Sequence, residues 1–209
     1  MIQTLEQLRG LYAAPGERAM RKQMDRIDPH AARFIALSPF CVVASGGVHG
    51  GLLDASPRGG AAGFVKPADD RTLLLPDSGG NNRLDTLENL LVDPRVALIF
   101  LVPNVDETLR VNGRARLRDE PEFLDRFVEE RQRPKLVIEV QVQEVYLHCA
   151  KAFMRSALWK PGTWPERAAL PSMNQMIHDQ IGAAAPSETQ EQMLARYREQ
   201  LAQEAQPSA

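Results

Sequence analysis

A chain of 209 residues can form one sizeable domain or two small ones, and 44% hydrophobic with 25% charged residues is typical of a globular protein. The formal net charge of -2 gives no electrostatic reason to expect a nucleic acid or an anionic membrane as partner. No apolar run reaches the roughly 18 residues of a membrane span, and the N-terminus lacks the apolar core of a signal peptide. We therefore expect a cytoplasmic protein.

The first 39 residues predict helices that pack on the outside of a sheet. Residues 2–37 have helical character in two pieces, which are separated by an Ala-Ala-Pro-Gly turn at 13–16. Within the second piece, Asp28 and Pro29 are suited to restart a helix, with Asp28 as the N-cap and Pro29 in the first turn. The Ser38-Pro39 pair then ends the helix.

The middle of the chain predicts a sheet of about six strands. The strand candidates are 40–44, 51–55, 63–65, 72–75, 96–102, 108–117 and a final strand from 136, whose alternation slips at 144–147 as at a β-bulge. The apolar run at 96–102 indicates a strand buried on both faces. Short turns without a regular β-α-β alternation favour a closed or partly closed antiparallel barrel.

Neither cysteine nor histidine usage predicts a metal site. Cys41 and Cys149 form no CxxC pair, and the four histidines have no metal-ligand spacing. Cys41 lies within the apolar run at 40–44, which indicates a buried, inert thiol.

A glycine-rich turn between two predicted elements is a candidate anion site. The turn at 76–80 precedes a leucine pattern that predicts a helix over 81–92, with Asn81, Asn82 and Arg83 in its first turn. Free backbone N–H groups at a helix start, together with two amides and a guanidinium, suit a phosphate. The alternative is plain helix capping by Asn, with Arg83 as a solvated surface charge.

Two further groups of cations have both a structural and a functional interpretation. The strand at 108–117 places Arg110, Arg114 and Arg116 on one face, which is usually solvated but can reach a bound anion or a partner subunit. A predicted helix over 148–159 places Lys151, Arg155 and Trp159 on one stripe. Such a stripe is either a basic surface with a packing indole or a contact for a flat anionic ligand.

Six short motifs occur in an order that resembles the pyridoxamine 5′-phosphate oxidase-like, FMN-binding split-barrel superfamily. The resemblance is closest to its bacterial branch of uncharacterised flavin-binding proteins and covers about residues 5–180. The motifs are Ser-Pro-Arg-Gly at 56–59, Gly-Phe-Val at 63–65, Leu-Pro-Asp at 75–77, Gly-Asn-Asn-Arg-Leu-Asp-Thr-Leu at 80–87, Asp-Pro-Arg-Val at 93–96 and Leu-Arg-Val-Asn-Gly at 109–113.

This resemblance implies a mainly β fold with flanking α-helices: a six-stranded antiparallel split β-barrel that dimerises and holds FMN at the dimer interface. The segments implied to hold the phosphate carry Ser56, Arg58, Asn81, Asn82 and Arg83, with Lys66 and Asp77 near them in sequence. Lys151, Arg155 and Trp159 are implied to lie at the ring end or at the dimer seam.

The chain departs from the enzyme that names the superfamily at its phosphate motifs. That enzyme has Arg and Lys along the first phosphate strand and Ser-Arg-Lys at the helix start, where this chain has Asp54 to Arg58 and then Asn81, Asn82 and Arg83. The resemblance therefore still implies FMN binding through Arg58 and Arg83, but it does not imply oxidation of pyridoxamine phosphate.

The sequence predicts N-terminal helices at 1–39, a split-barrel core at 40–147 and a C-terminal helical segment at 148–209 with a frayed end, within one domain. The function that it favours is an FMN-dependent oxidoreductase with hydride chemistry at the flavin. Its substrate and electron donor are unknown, and no residue is identified as a proton donor. The alternatives are a non-catalytic flavin- or haem-binding carrier or sensor on the same fold, and a deazaflavin-dependent reductase.

Overall fold

The computed structural model describes residues 1–47, 51–80, 82–129, 133–182 and 188–204. Seven antiparallel strands form one sheet in the order β2-β1-β5-β6-β7-β4-β3. The strands are β1 (Phe40–Ser45), β2 (Asp54–Gly59), β3 (Lys66–Pro67), β4 (Thr72–Asp77), β5 (Arg95–Leu101), β6 (Thr108–Arg118) and β7 (Leu136–His148).

Helices lie before, between and after the strands. They are α1 (Leu5–Arg9), α2 (Glu17–Arg21), α3 (Pro29–Leu37), α4 (Asp85–Val92), α5 (Pro121–Leu124), α6 (Lys151–Ser156), α7 (Met173–Ile181) and α8 (Gln190–Glu204), with short 3-10 turns at Asp125–Phe127, Pro161–Thr163 and Arg167–Ala169. The expected frayed end at 205–209 lies outside the described residues.

The architecture is the predicted mainly β split barrel with flanking helices, with seven strands instead of six. The strand prediction at 63–65 was wrong, because Gly63 has a φ of 81° and turns the chain before the short β3. A Cβ at Gly63 would also lie 3.1 Å from the carbonyl oxygen of Ala36. The second strand begins three residues later than predicted, so β2 contains both Ser56 and Arg58.

The longest strand pair has the predicted alternation and a bulge. Along β6, Leu109, Val111 and Ala115 are buried and face the core. The register with β7 passes from Asn112 opposite Glu144 to Gly113 opposite Val142, which leaves one extra residue in β7 immediately before the predicted slip at 144–147. A Cβ at Gly113 would lie 2.2 Å from a carbonyl oxygen of β7, so β6, the strand opposite the bulge, requires glycine there.

The core lies inside the curved sheet and is closed at one end by α3. As predicted, α3 begins at Pro29, and the Asp28 carboxylate accepts a hydrogen bond from the Ala31 backbone N–H at 2.8 Å. The helix contributes Ala31 and Ile35 to the core, together with the preceding Ile27. The strand residues in this core are mainly aliphatic: Val43, Leu73, Leu75, Leu98, Phe100, Val111, Ile138, Val140 and Val145.

Strand β5 is buried on one face only, so the prediction of two buried faces was wrong. Val96, Leu98 and Phe100 are buried, whereas Ala97 and Ile99 on the other face are half-buried. The apolar run gives no alternation in sequence because its outer face is also apolar. An apolar outer face therefore extends over β1 and β5.

The helix predicted over 81–92 begins at Asp85, four residues later than expected. Asn82 has a left-handed φ of 59°, and the residue that precedes the helix, Leu84, makes no side-chain cap. Asn82 and Arg83 consequently lie in the approach to α4 and not in its first turn. Asn81 lies outside the described residues.

The helices before and after the sheet are shorter than the sequence predicts. α1 and α2 contribute no buried residue, and between α2 and α3 the chain is extended, with Met24 bridged to Val145 of β7. The helix predicted over 148–159 ends at Ser156, because Ala157 has a φ of 51°. Trp159 therefore lies outside that helix, and the predicted stripe of three residues is broken. No helix in the described ranges is long and apolar enough to cross a bilayer.

Candidate functional site

An ion pair joins two strands that the sheet keeps apart. Among the described residues, β2 is an edge strand that is hydrogen-bonded to β1 alone, and β4 is next to the other edge. Nevertheless, Nη1 of Arg58 lies 3.3 Å from Oδ1 of Asp77. We call Arg58 and Asp77 the seam pair, since their side chains close the split of the barrel where the sheet provides no ladder between β2 and β4.

Register explains why Arg58 points into the seam. Arg58 lies opposite Cys41, and Ser56 lies opposite Val43; both partners in β1 are fully buried. Directly opposed residues in an antiparallel pair share a face, so Ser56 and Arg58 lie on the core side of the sheet. The sequence Ser-Pro-Arg therefore aims two polar side chains at the barrel interior, where burial makes their interactions strong.

The seam pair is charged and poorly solvated. Exposed fractions are 25% for the Arg58 side chain and 12% for the Asp77 side chain. Burial raises the pKa of Asp77 above its ordinary value, and the nearby Arg58 and Lys135 lower it by less. Burial likewise raises the pKa of the Cys41 thiol to about 12, against the opposing effect of Arg58. This confirms Cys41 as a buried thiol.

One atom of the seam pair has no partner. Nε of Arg58 is buried and finds no hydrogen-bond acceptor in the part of the chain that the structure describes. Leaving a buried donor of a charged group unsatisfied costs at least about 1–3 kcal/mol. An oxyanion that reached this guanidinium from the side of Ser56 would satisfy the donor, so the chemistry of these two side chains is compatible with a phosphate group.

The approach to α4 carries the other predicted phosphate residue, in a more exposed setting. The Arg83 side chain is 77% exposed, and its Nε donates to Oδ2 of Asp85 at 2.7 Å. The hydrogen bond to Asp85 and the negative charge of that carboxylate raise the pKa of Arg83. Any phosphate that Arg83 binds would therefore share this guanidinium with the Asp85 carboxylate.

Two cavities that share Leu53 as a lining residue lie near this approach and the ends of β1 and β2. One, of about 270 Å³, is lined by Arg83, Asp85 and Asn89, and the other, of about 510 Å³, is lined by residues of β1, β5, β6 and β7. We call the two cavities together the β1–β2 groove. Its volume lies in the range of small-molecule sites.

Polar contacts fix one wall of the groove. Thr86 Oγ1 donates to Oδ2 of Asp54 at 2.7 Å, and Asn89 Nδ2 donates to Oγ of Ser45 at 3.0 Å. Thr86 and Asn89 are buried, so these contacts hold α4 against β1 and β2. Sequence reasoning missed both residues, although their spacing of three on a leucine-rich helix is a detectable polar row.

The remaining predicted site residues have their own contacts. Lys66 Nζ donates to the Arg126 carbonyl oxygen at 3.0 Å and lies 4.9 Å from the centre of the Phe127 ring. Lys66 is thus held at the 3-10 turn after α5. Sequence reasoning also missed Lys135, whose charge acts on Asp77 and whose backbone N–H donates to the Asp77 carbonyl oxygen at 2.9 Å.

The predicted aromatic and basic stripe after β7 is not assembled within the chain. Trp159 stacks on Phe153 with ring centres 5.7 Å apart, and its Nε1 donates to the Val105 carbonyl oxygen at 2.9 Å. Lys151 and Arg155 are exposed on α6. The indole therefore ties α6 to the loop between β5 and β6.

No group of three His, Cys, Asp or Glu side chains converges as a metal site within the described ranges. The seam pair and the β1–β2 groove together offer a guanidinium with an unused donor, the Ser56 hydroxyl and a groove of small-molecule size.

Solved structures similar to this chain have low sequence identity. HupZ of Group A Streptococcus is 15% identical and aligns over 58% of this chain and 93% of its own, with a TM-score of 0.48. An FMN-binding protein of Syntrophomonas wolfei is 14% identical over 56% of this chain and 84% of its own, with a TM-score of 0.45. General Stress Protein 26 of Bacillus anthracis is 11% identical over 56% of this chain and 93% of its own, with a TM-score of 0.42.

No curated protein sequence matches the chain significantly. In contrast, the family model described as pyridoxamine 5′-phosphate oxidase matches residues 27–149, which are more than half of the chain. The match begins just before α3 and ends just after β7. The chain therefore belongs to the pyridoxamine 5′-phosphate oxidase family.

Proposed function

We propose that this protein is an FMN-binding oxidoreductase that acts on a small molecule. The observation that carries the proposal is the buried Nε of Arg58, which lacks an acceptor among the described residues while its Nη1 is paired with Asp77. In a chain of this family, a guanidinium that offers an unused donor beside Ser56 is suited to the FMN phosphate.

The protein's own residues would bind and orient the cofactor. Arg58 and Ser56 would hold the phosphate from the core side of β2, and Asn82 and Arg83 would approach it from the start of α4. The bound flavin would supply hydride transfer at its N5 atom. Asp77 would keep Arg58 in place, and no residue is assigned as a proton donor.

The same proposal includes a cytoplasmic homodimer with the cofactor at its interface. It is supported by the apolar outer face of β1 and β5, where Phe40 is 37% exposed and Val42, Ala44, Ala97 and Ile99 are half-buried. An apolar sheet face of this kind is typical of a surface that a partner covers. Lys151 and Arg155, exposed on α6, would then be available to the cofactor bound by the other subunit.

The test is the visible spectrum of the freshly purified protein, with the mass of the released chromophore. Oxidised-flavin bands with the mass of FMN would support the proposal, and bleaching by a reduced nicotinamide followed by reoxidation in air would support turnover. A Soret band would favour haem, and a deazaflavin mass would favour that cofactor. A colourless protein that does not bind added FMN would contradict the proposal.

The FMN affinity of single-residue variants tests which side chains bind the FMN phosphate. Arg58→Ala should weaken FMN binding by about tenfold or more, because a charge-assisted hydrogen bond contributes about 1.5–3 kcal/mol. Arg83→Ala should have a smaller effect, since Arg83 already binds Asp85 and is mostly exposed. Arg21→Ala, which removes an exposed pair with Glu17 on α2, is the matched control. Unchanged flavin occupancy in the Arg58→Ala, Arg83→Ala double variant would refute the phosphate assignment.

A further inference from the structure

A second polar cleft opens on the outer face of the barrel, across β4, β6 and β7. It has a volume of about 390 Å³ and is lined by Thr72, Pro94, Arg114, Ala115, Arg116, Glu139 and Gln141. We call it the Arg114 cleft. Arg114 and Arg116 are exposed while Ala115 between them is buried, so both guanidinium groups lie on the side of β6 that faces away from the core.

Strand register places complementary donors in one row. Arg114 lies opposite Gln141 of β7, and Gln141 lies opposite Thr72 of β4. Directly opposed residues share a face, so a guanidinium, an amide and a hydroxyl are adjacent across three strands. Arg116 is the next residue on the same face, about 7 Å further along β6. All four side chains can donate hydrogen bonds to one anion.

The charge of Arg114 acts weakly on the Asp93 carboxylate, but among the described residues the two arginines are not paired with a protein carboxylate. Within the described ranges, neither the Arg114 nor the Arg116 side chain donates a hydrogen bond or forms an ion pair. The carboxylates nearby already have partners. Glu139, opposite Arg116, accepts from Arg118 Nε at 2.8 Å, and Asp93 is bound by Arg95 at 2.6 Å. Two positive charges therefore face the cleft with their hydrogen bonds unused.

We propose that the Arg114 cleft binds a phosphate-type oxyanion, either free phosphate or the head group of a small phosphorylated molecule. Planar guanidinium groups bind phosphate through paired, charge-assisted hydrogen bonds, and an anion between Arg114 and Arg116 relieves their mutual repulsion. The cleft exceeds the size of a single phosphate, which leaves room for an organic substituent.

This cleft is separate from the phosphate site proposed for FMN. Arg58 and Ser56 lie on the core side of β2, whereas Arg114 and Arg116 lie on the outer side of β6. In the sheet order, β1 and β5 stand between those two strands. Occupation of one site does not require occupation of the other.

The test is calorimetric titration of inorganic phosphate, and separately of glycerol 3-phosphate, into protein saturated with FMN at constant ionic strength. Saturating FMN fills the proposed cofactor site, so the phosphate that binds reports the cleft. We expect one anion per chain, and tighter binding of glycerol 3-phosphate would assign the cleft to an organic phosphate. Equal affinities would assign it to the free ion.

Matched variants decide whether the cleft is the site. Arg114→Ala and Arg116→Ala should each weaken phosphate binding by about tenfold or more, because each removes charge-assisted hydrogen bonds. Arg21→Ala should leave it unchanged, and all three variants should keep the wild-type flavin content and thermal unfolding. The absence of saturable binding, or an unchanged affinity in the Arg114→Ala, Arg116→Ala double variant, would overturn the proposal.

If the protein does not bind FMN, the same titration is made on the protein as purified. Phosphate binding that is lost on Arg114→Ala would then support the cleft while the cofactor proposal fails. Phosphate binding that is lost on Arg58→Ala instead would overturn the assignment to the cleft.

Discussion

Replacing Arg58 by Met should destabilise the barrel by about 2 kcal/mol at pH 7, in protein freed of cofactor. Met keeps most of the side-chain volume but leaves the Asp77 carboxylate without its counter-ion in the seam. Breaking a fully buried pair costs about 3–5 kcal/mol, whereas an exposed pair contributes about 0–1 kcal/mol. The exposed fractions of 25% and 12% place the seam pair between these limits.

The pH dependence follows from the raised pKa of Asp77. A carboxyl group whose pKa is raised on folding favours the folded state when protonated, and this contribution is lost as the pH rises through the folded pKa. Without Arg58 the pKa of Asp77 should rise further, although Lys135 continues to lower it. The destabilisation by Arg58→Met should therefore be largest at pH 7 and should shrink as the pH falls towards 3.8, the ordinary value of the group.

Urea unfolding of the wild type, Arg58→Met, Asp77→Asn and the double variant measures the coupling in the seam pair. Cofactor must be removed first, because loss of a ligand by itself lowers apparent stability. We expect Arg58→Met to cost distinctly less in the Asp77→Asn background than in the wild type. An equal cost in both backgrounds, independent of pH, would refute the reasoning that the pair closes the barrel.

Three other predictions concern single residues. Gly113→Ala should destabilise the protein by about 2–3 kcal/mol in urea unfolding, because the added Cβ would lie 2.2 Å from a carbonyl oxygen. Gly162→Ala is the control and should be neutral, because a Cβ at Gly162 has no atom within 4 Å. Asp28→Ala should cost about 1 kcal/mol through loss of the α3 cap, and an unchanged midpoint would contradict that role. The native protein should react with one equivalent of maleimide at pH 8, at the exposed Cys149, since the Cys41 thiol is buried and has a pKa of about 12; two fast labels would contradict this.

Local chemistry in the sequence specified several elements correctly. Asp28 and Pro29 fix the start of α3, because a carboxylate cap and a proline in the first turn both act within three residues. The alternation along β6 identifies its buried face, since the side-chain period of a strand is two. The slip in β7 reveals the bulge for the same reason.

The misses arise where one backbone conformation decides the outcome. The leucine pattern after Arg83 is compatible with a helix start several residues earlier, but the left-handed conformation of Asn82 delays the start to Asp85. Similarly, the left-handed Ala157 ends α6 and sends Trp159 to the β5–β6 loop. Periodicity reports the face of a helix better than its ends.

The core of the candidate site depends on contacts that no local pattern contains. Arg58 and Asp77 were both selected from the sequence as possible ligands, but their pairing follows from closure of the sheet between distant strands. Lys135 was missed because it reaches Asp77 through the pairing of β4 with β7, in which Asp77 lies opposite Leu136. Whether these residues bind FMN stays a prediction that the variants above test.

The bridge between Met24 and Val145 has a consequence for self-association. β4 pairs with β7 only as far as Gln141, so the later part of β7 would present unpaired backbone groups on that side. Met24 covers part of this edge with two backbone hydrogen bonds, of 2.9 and 2.8 Å. An uncovered edge strand is a template for pairing with other chains. The N-terminal segment, although its first two helices bury no residue, thus occupies backbone groups of β7 that another chain could otherwise pair with.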